Sequence, residues 1–174
     1  MILCDRDIKQ AIVDGKIIID PLRESQIGPT SVDLSLAPIL LRYKAETIEL
    51  GRSRPETTEI EISQDRGYCL QPGEFVLGCT VERIFISNGY QGFIETKGDI
   101  ARAGIQVHNC DGHVDPGSDH KITLEISNRN NVPIVLYSDI LICQIFIHTL
   151  SANCDRVYRG KYYGQDKPTL YKLG

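Results

Sequence analysis

The sequence predicts a mainly β fold, a distorted barrel or jelly-roll of short strands with one short helix at its N-terminus. Two observations predict it. Short apolar–polar alternations recur from Val32 to Ile147, separated by Gly, Pro and Asn turns. Clear helical spacing of apolar residues is confined to the opening segment.

Taken in order, Asp5-Arg6-Asp7 precedes Ile8, Ala11 and Ile12, whose spacing is helical; Asp5 is the expected N-cap and Gly15 the expected stop. Ile17 to Ile19 are a β-branched run ending at Pro21. Gln26 to Ser31 read as a turn, and Val32, Leu34 and Leu36 as a strand with one buried face. Leu40, Tyr43, Ile48 and Leu50 are expected in short strands, and residues 51–59 in an exposed loop. Ile60 and Ile62 alternate with acids. A turn at Gln71-Pro72-Gly73-Glu74 leads into a strand from Phe75 to Val81, and Ile84, Ile86, Phe93 and Ile94 continue the pattern. The last strong strands are Ile122 to Ile126, Ile134 to Leu136 and Leu141 to Ile147. No repeat or linker divides the chain, so residues 1–174 are read as one domain.

A chain of 174 residues can bury a real core. With 41% hydrophobic residues, only 7% aromatic and no Trp, that core must rest on Ile, Leu and Val. A net charge of −4 argues against binding nucleic acid, which needs a basic face, but a single nucleotide needs only two or three placed cations. Six scattered cysteines without a CxxC pair read as reduced, mostly buried thiols of a cytoplasmic protein. The N-terminus lacks a signal-peptide run, and no stretch is long and apolar enough for a membrane span.

The segment from Thr96 to Glu125 concentrates the chemistry. Lys97 and Arg102 lie near a possible short helix or turn, flanked by Gly98 and Gly104. Asp115-Pro116-Gly117 is a tight turn of strong propensity. Glu125 interrupts an apolar strand, sharing a face with Thr123 and Ser127. Taken singly, Glu125 reads as a residue on a wet strand face, Asp115 as a turn residue, and Lys97 and Arg102 as surface charges. His108-x-Cys110-x-x-His113, with His120 nearby, has ligand types compatible with zinc; a loop with two polar histidines and a thiol is the plainer reading.

Together these motifs resemble the dCTP deaminase family of the dCTP deaminase/dUTPase superfamily. Its pattern is Gly-Arg-Ser-Ser…Arg, an Asp-Pro-Gly turn, and a strand carrying a catalytic Glu. Arg102, Asp115-Pro116-Gly117 and Glu125 match in order. The opening segment Met1 to Ile8, Gly28-Pro29-Thr30-Ser31-Val32-Asp33-Leu34, and Lys161-Tyr162-Tyr163-Gly164-Gln165 with Pro168-Thr169 extend the likeness to both ends. The chain departs where the family has Gly-Arg-Ser-Ser and this sequence has Thr96-Lys97-Gly98-Asp99. Gly98 has no side chain to hold a water, Lys97 keeps charge without Arg's planar fork, and Asp99 adds an acid where phosphates are expected. Cys110 and Asp111 stand where small or hydroxyl residues are usual beside the pyrimidine.

The resemblance implies a dUTPase-like β-clip fold, with residues 155–174 as a nucleotide-covering tail. It implies hydrolytic deamination of dCTP to dUTP, or on to dUMP, with Glu125, Arg102 and Asp115 as catalytic residues. It places Lys97, Gly98, Asp99, Cys110, Asp111, Tyr158, Lys161 and Gln165, with Arg159 as a further phosphate contact, around the substrate. It implies Mg²⁺ escorting the triphosphate and no protein metal; the zinc-deaminase signature, H-x-E with P-C-x-x-C, is absent. It also implies a homotrimer whose sites are built from neighbouring subunits. Alternatives are a dUTPase-like diphosphohydrolase, in which Asp115 activates water, and a nucleotide-binding or regulatory protein that has lost catalysis.

Overall fold

The structure, a computed structural model, describes residues 1–172. The predicted domain and its tail therefore end in two residues, 173 and 174, that lie outside the described residues. In chain order the elements are α1 (Asp5–Val13), β1 (Ile17–Asp20), a 3₁₀ turn (Glu24–Gln26), β2 (Ser31–Ser35), β3 (Ile39–Tyr43), β4 (Thr57–Glu61) and β5 (Tyr68–Leu70). They continue with β6 (Phe75–Ile86), β7 (Tyr90–Thr96), α2 (Gly98–Arg102), β8 (Ile105–Gln106), β9 (His113–Val114), β10 (Asp119–Asn128), β11 (Ile134–Leu136) and β12 (Leu141–Thr149).

Helix α1 begins one residue earlier than the sequence suggests. Cys4 is its N-cap, in extended conformation, and Asp5 falls in the first turn, where its charge suits the exposed amides. Its C-terminus follows the sequence. Gly15 adopts φ +65, its N–H bonds the Ile12 carbonyl, and the Lys16 N–H reaches the Ala11 carbonyl. That pair of bonds caps the last carbonyls and requires a residue at ease in the left-handed region.

The strands form two antiparallel sheets. One runs β4-β3-β6-β10-β8, with β1 also on β6, and the other runs β2-β12-β7-β9. Strands β5 and β11 make a separate ribbon. The predicted mainly β class holds, but the sheets do not close into a barrel: β4 and β8 stay as edges of the first, β2 and β9 of the second. At two residues each, β8 and β9 are too short to carry a ladder further. Ile48 and Leu50, expected in strands, lie exposed between β3 and β4, while β4 begins within the predicted loop. The separate runs Phe75–Val81 and Ile84–Ile86 are one strand, β6.

Both sheets share one apolar core. Its largest fully buried side chains are all Ile or Leu, as the shortage of aromatics requires. One charge sits within it. The Glu82 carboxylate accepts from Gln26 Nε2 and from the Ser35 amide, both at 2.9 Å, which ties the 3₁₀ turn and β2 to β6. All six cysteines are free. Only Cys79 and Cys143 are fully buried; burial pushes the Cys79 thiol up to about 11 and raises that of Cys143. Cys69 and Cys110 are exposed, against the expectation of mostly buried thiols.

Candidate active site

An irregularity in the pairing of β10 with β6 shapes the site. His120 faces Ile84 and Lys121 faces Arg83, but Thr123 already faces Cys79. Strand β10 spends only Ile122 where β6 spends Thr80, Val81 and Glu82. The Thr80 hydroxyl fills the gap: it accepts the Ile122 N–H at 3.0 Å and donates to the Glu82 carbonyl at 2.7 Å. A register shift changes which side chains share a face. Ser118, His120 and Ile122 therefore line the same cleft as Thr123 and Glu125. The cleft encloses about 690 Å³.

Glu125 stands on its floor. The loop after β8 crosses above: Val107 accepts the Glu125 amide at 2.8 Å, and the Asn109 amide donates to Glu125 Oε2 at 2.7 Å. One carboxylate oxygen is thus fixed while the residue still lines the cleft. Cys110, next in this loop, has φ 88 and an exposed side chain, so the backbone here is strained. Beyond it, His113 links two acids: Nδ1 lies 2.7 Å from Asp111 Oδ1 and Nε2 lies 3.8 Å from Asp115 Oδ2. All three side chains line the cleft. Tyr43 and Phe75, stacked at 6.2 Å, form an apolar wall. Burial, then the neighbouring Tyr171, Glu125 and Tyr162, raise the Tyr43 hydroxyl above its ordinary pKa.

The tail docks on two places prepared for it. At the Asp115-Pro116-Gly117 turn, the Tyr158 amide donates to the Pro116 carbonyl and Arg159 Nη1 to the Gly117 carbonyl, both at 2.7 Å. Gly117 has φ +88, and a Cβ there would come within 2.7 Å of Val157 Cβ. Glycine is therefore needed for both conformation and approach. At the bulge, the Gln165 carbonyl accepts the Lys121 amide at 3.0 Å. The Gln165 side-chain amide donates to the Lys121 carbonyl at 2.8 Å and to Thr123 Oγ1 at 3.0 Å. Tyr158, Lys161, Tyr162, Gln165, Thr169 and Tyr171 thereby roof the cleft. Asp166 adds an ion pair with Arg83, which also holds Asp119.

Of the residues expected at the site, Glu125, Asp115, Asp111, Tyr158, Lys161 and Gln165 line this cleft. Lys97, Gly98, Asp99, Cys110 and Arg102 do not. Lys97 precedes α2 and its Nζ lies 2.6 Å from Asp33 Oδ2, whose carboxylate holds the ammonium above its ordinary pKa. Arg102 is exposed at the end of α2 and donates to the Gly98 carbonyl at 2.9 Å. Arg159 is exposed, and its guanidinium lies 4.6 Å from the Tyr163 ring centre. The zinc-like spacing does not gather into ligands. His108 pairs with Glu95, His113 with the two aspartates, and His120 lies in the cleft wall. Among the described residues no three His, Cys, Asp or Glu side chains are grouped to hold a metal ion. Sequence reasoning missed Tyr43, Phe75, Asn109 and Tyr171, which reach the cleft from separate parts of the chain and share no local motif.

Fold and cleft together define a β-sheet protein with a carboxylate on the floor of a cleft and its own C-terminal segment as the roof. A family described as dCTP deaminase-like matches residues 2–150. The protein named dCTP deaminase, dUMP-forming, of Coprothermobacter proteolyticus is 42% identical over 174 residues, covering 97% of this chain and 94% of that one. Its namesake from Dictyoglomus thermophilum is 39% identical over 188 residues, covering 99% and 95%. The crystal structure of 2′-deoxycytidine 5′-triphosphate deaminase from Agrobacterium tumefaciens has the same fold, with a TM-score of 0.68 at 23% identity, covering 86% of this chain and 48% of that chain. The chain belongs to the dCTP deaminase-like family.

Proposed function

We propose that this protein hydrolytically deaminates dCTP and carries the product on to dUMP. The observation that carries the reading is Glu125, a carboxylate fixed through one oxygen by the Asn109 amide on the floor of a roofed cleft. The full-length relatives named dUMP-forming support the substrate and the end product.

Glu125 takes a proton from water, and the hydroxide adds to C4 of the cytosine ring. That proton passes to the amino group, the C4–N bond breaks to release ammonia, and the remaining hydroxyl proton ends on N3, leaving the uracil carbonyl. A second water then attacks the phosphate chain with Asp115 as its base, releasing pyrophosphate from dUTP. Mg²⁺ belongs to the substrate in this scheme, carried on the triphosphate oxygens. Lys161 and Tyr158 of the roof face the phosphates, and Gln165 keeps the roof closed and water excluded.

Arg102, Lys97, Gly98 and Asp99 lie outside their own chain's cleft, and Arg102 is exposed. In the homotrimer proposed here, α2 of one subunit completes the cleft of the next, where Arg102 stabilises developing charge. Free thiols suit a cytoplasmic setting, and no described helix is long and apolar enough to cross a membrane.

Incubation with Mg²⁺ and dCTP, dUTP or dCMP, followed by chromatography, tests the reading. Ammonia and dUMP from dCTP are expected, and Glu125→Gln should lower the rate at least a thousandfold, as order of magnitude, for loss of the essential base. Deamination that survives this change removes Glu125 from its role. A second reading is a nucleotide-binding protein without catalysis, favoured by Gly98 and Asp99, which present no hydroxyl to hold a water. It requires tight dCTP binding without turnover. Pyrophosphate from dUTP alone would mark a diphosphohydrolase.

A further inference from the structure

The loop that holds Glu125 brings a second carboxylate to the same part of the cleft. Asp111 stands two residues after Asn109, whose amide donates to Glu125, so its Cα is within about 7 Å of that of Asn109. Cys110, with φ 88, turns the chain between them. Gly112 then presses the loop flat on β7. Its carbonyl accepts the Ile94 amide at 2.6 Å, and a Cβ there would come within 2.5 Å of the Ile94 carbonyl oxygen. The Asp111 side chain stands away from that strand and lines the cleft with Glu125.

This carboxylate is oriented through one oxygen and open through the other. His113 Nδ1 lies 2.7 Å from Oδ1, whereas Oδ2 has no partner among the described residues, and 71% of the side chain is exposed. Lys161, in the roof, is the one lysine or arginine among the described residues that line the cleft, and in the proposed reaction it faces the phosphates. At the end where the base docks, Asp111 and Glu125 therefore need a hydrogen-bond donor from the ligand.

Cytosine supplies it. Its C4 carries an N–H₂ donor where uracil carries an acceptor oxygen. The water that attacks C4 occupies the free oxygen of Glu125, which leaves the amino group to Asp111. An ionised carboxylate accepts and cannot donate. Beside C4 it favours cytosine and repels the uracil oxygen. The contact also strengthens during the reaction. The amino group gains a proton before the C4–N bond breaks, and a cationic donor binds a carboxylate more tightly than a neutral one.

We infer that Asp111 accepts a hydrogen bond from the 4-amino group of the bound cytosine, so that it selects cytosine over uracil and holds the amino group as it leaves. This rests on the proposed dCTP reading, which puts C4 at Glu125. His113 is a positioning residue for this contact, through its hold on Oδ1.

The test reads binding apart from turnover. In a Glu125→Gln protein, calorimetry with Mg²⁺ compares the α,β-imido forms of dCTP and dUTP. The substitution blocks deamination, and the imido bridge blocks release of pyrophosphate. This protein should bind the cytosine ligand roughly tenfold more tightly, as expected for one hydrogen bond to a charged acceptor. Adding Asp111→Asn, which keeps the shape and removes the charge, should bring the two ligands within about twofold of each other, because an amide can donate to the uracil oxygen. In the otherwise intact protein, Asp111→Asn should lower kcat for ammonia release roughly tenfold, since the charge that meets the leaving group is gone. If Asp111→Asn weakens both ligands equally, the carboxylate only shapes the loop and the inference fails. It also fails if the Glu125→Gln protein binds the uracil ligand as tightly as the cytosine one. An unchanged kcat overturns the part of Asp111 in the departure of ammonia. If the wild type releases no ammonia from dCTP while a preference that depends on Asp111 persists, the proposed reaction falls and the selection of cytosine stands.

Discussion

Gly117 shows how one residue couples the site to its roof. Its φ of +88 is a conformation that side-chain-bearing residues adopt at a cost of about 1–2 kcal/mol. The space its missing Cβ leaves is taken by Val157 of the returning tail. Gly117→Ala should therefore loosen the tail more than the core. Trypsin should cut at Arg156, Arg159 and Lys161 several-fold faster than in the wild type, while the melting temperature falls by only about 4 °C per kcal/mol lost. Equal cleavage rates in the two proteins would show that the tail does not depend on this turn. Lys121 and Thr123, which hold Gln165 at the far docking point, would then be its real anchor.

Among the elements, β10 carries the site, and it shows which features a sequence can disclose. Alternation placed Thr123 and Glu125 on one face and Leu124 and Ile126 on the other, and both pairs keep those roles. The pattern fails at Ile122, which lines the cleft, and at Ser127, which is buried. A period of two cannot see a register shift made by a partner strand about forty residues away. The same limit hid Thr80, whose hydroxyl satisfies both sides of the gap and is fully buried. The Asp115-Pro116-Gly117 turn and the end of α1 were legible because Gly and Pro act locally. The contacts of the tail were not legible, since they fall on the Pro116 and Gly117 carbonyls of the turn, on Lys121 and Thr123 of β10 and on Arg83 of β6, which share no local pattern. The bulge itself gives a test. Thr80→Val keeps shape but leaves the Ile122 amide and the Glu82 carbonyl without that hydroxyl, at a cost of about 2–4 kcal/mol. Urea denaturation should show this loss, and Thr80→Ser should restore most of it. A Thr80→Val protein as stable as the wild type would mean that those two groups find other partners.

At the scale of the whole molecule, the expected site divides between two regions of one chain. Glu125, Asp115 and the tail residues share a cleft, whereas Lys97 to Arg102 sit outside it. Lys97, the residue before α2, is already engaged by Asp33. The closed ring of identical chains proposed above would reconcile the two regions, because a head-to-tail contact repeats the same pairing at every junction. Glu125→Gln and Arg102→Ala are each expected to be inactive as pure proteins. If Arg102 worked in its own chain's cleft, mixing them would leave every site broken. If it serves the next chain, a site needs an intact Glu125 from one subunit and an intact Arg102 from its neighbour. Random assembly of equal amounts supplies that at about one site in four. Co-expression of the two variants, with sedimentation to establish the trimer, should therefore return about a quarter of wild-type deamination. Mixed trimers no more active than their parents would place Arg102 outside the reaction, and a monomer in sedimentation would remove the shared site altogether.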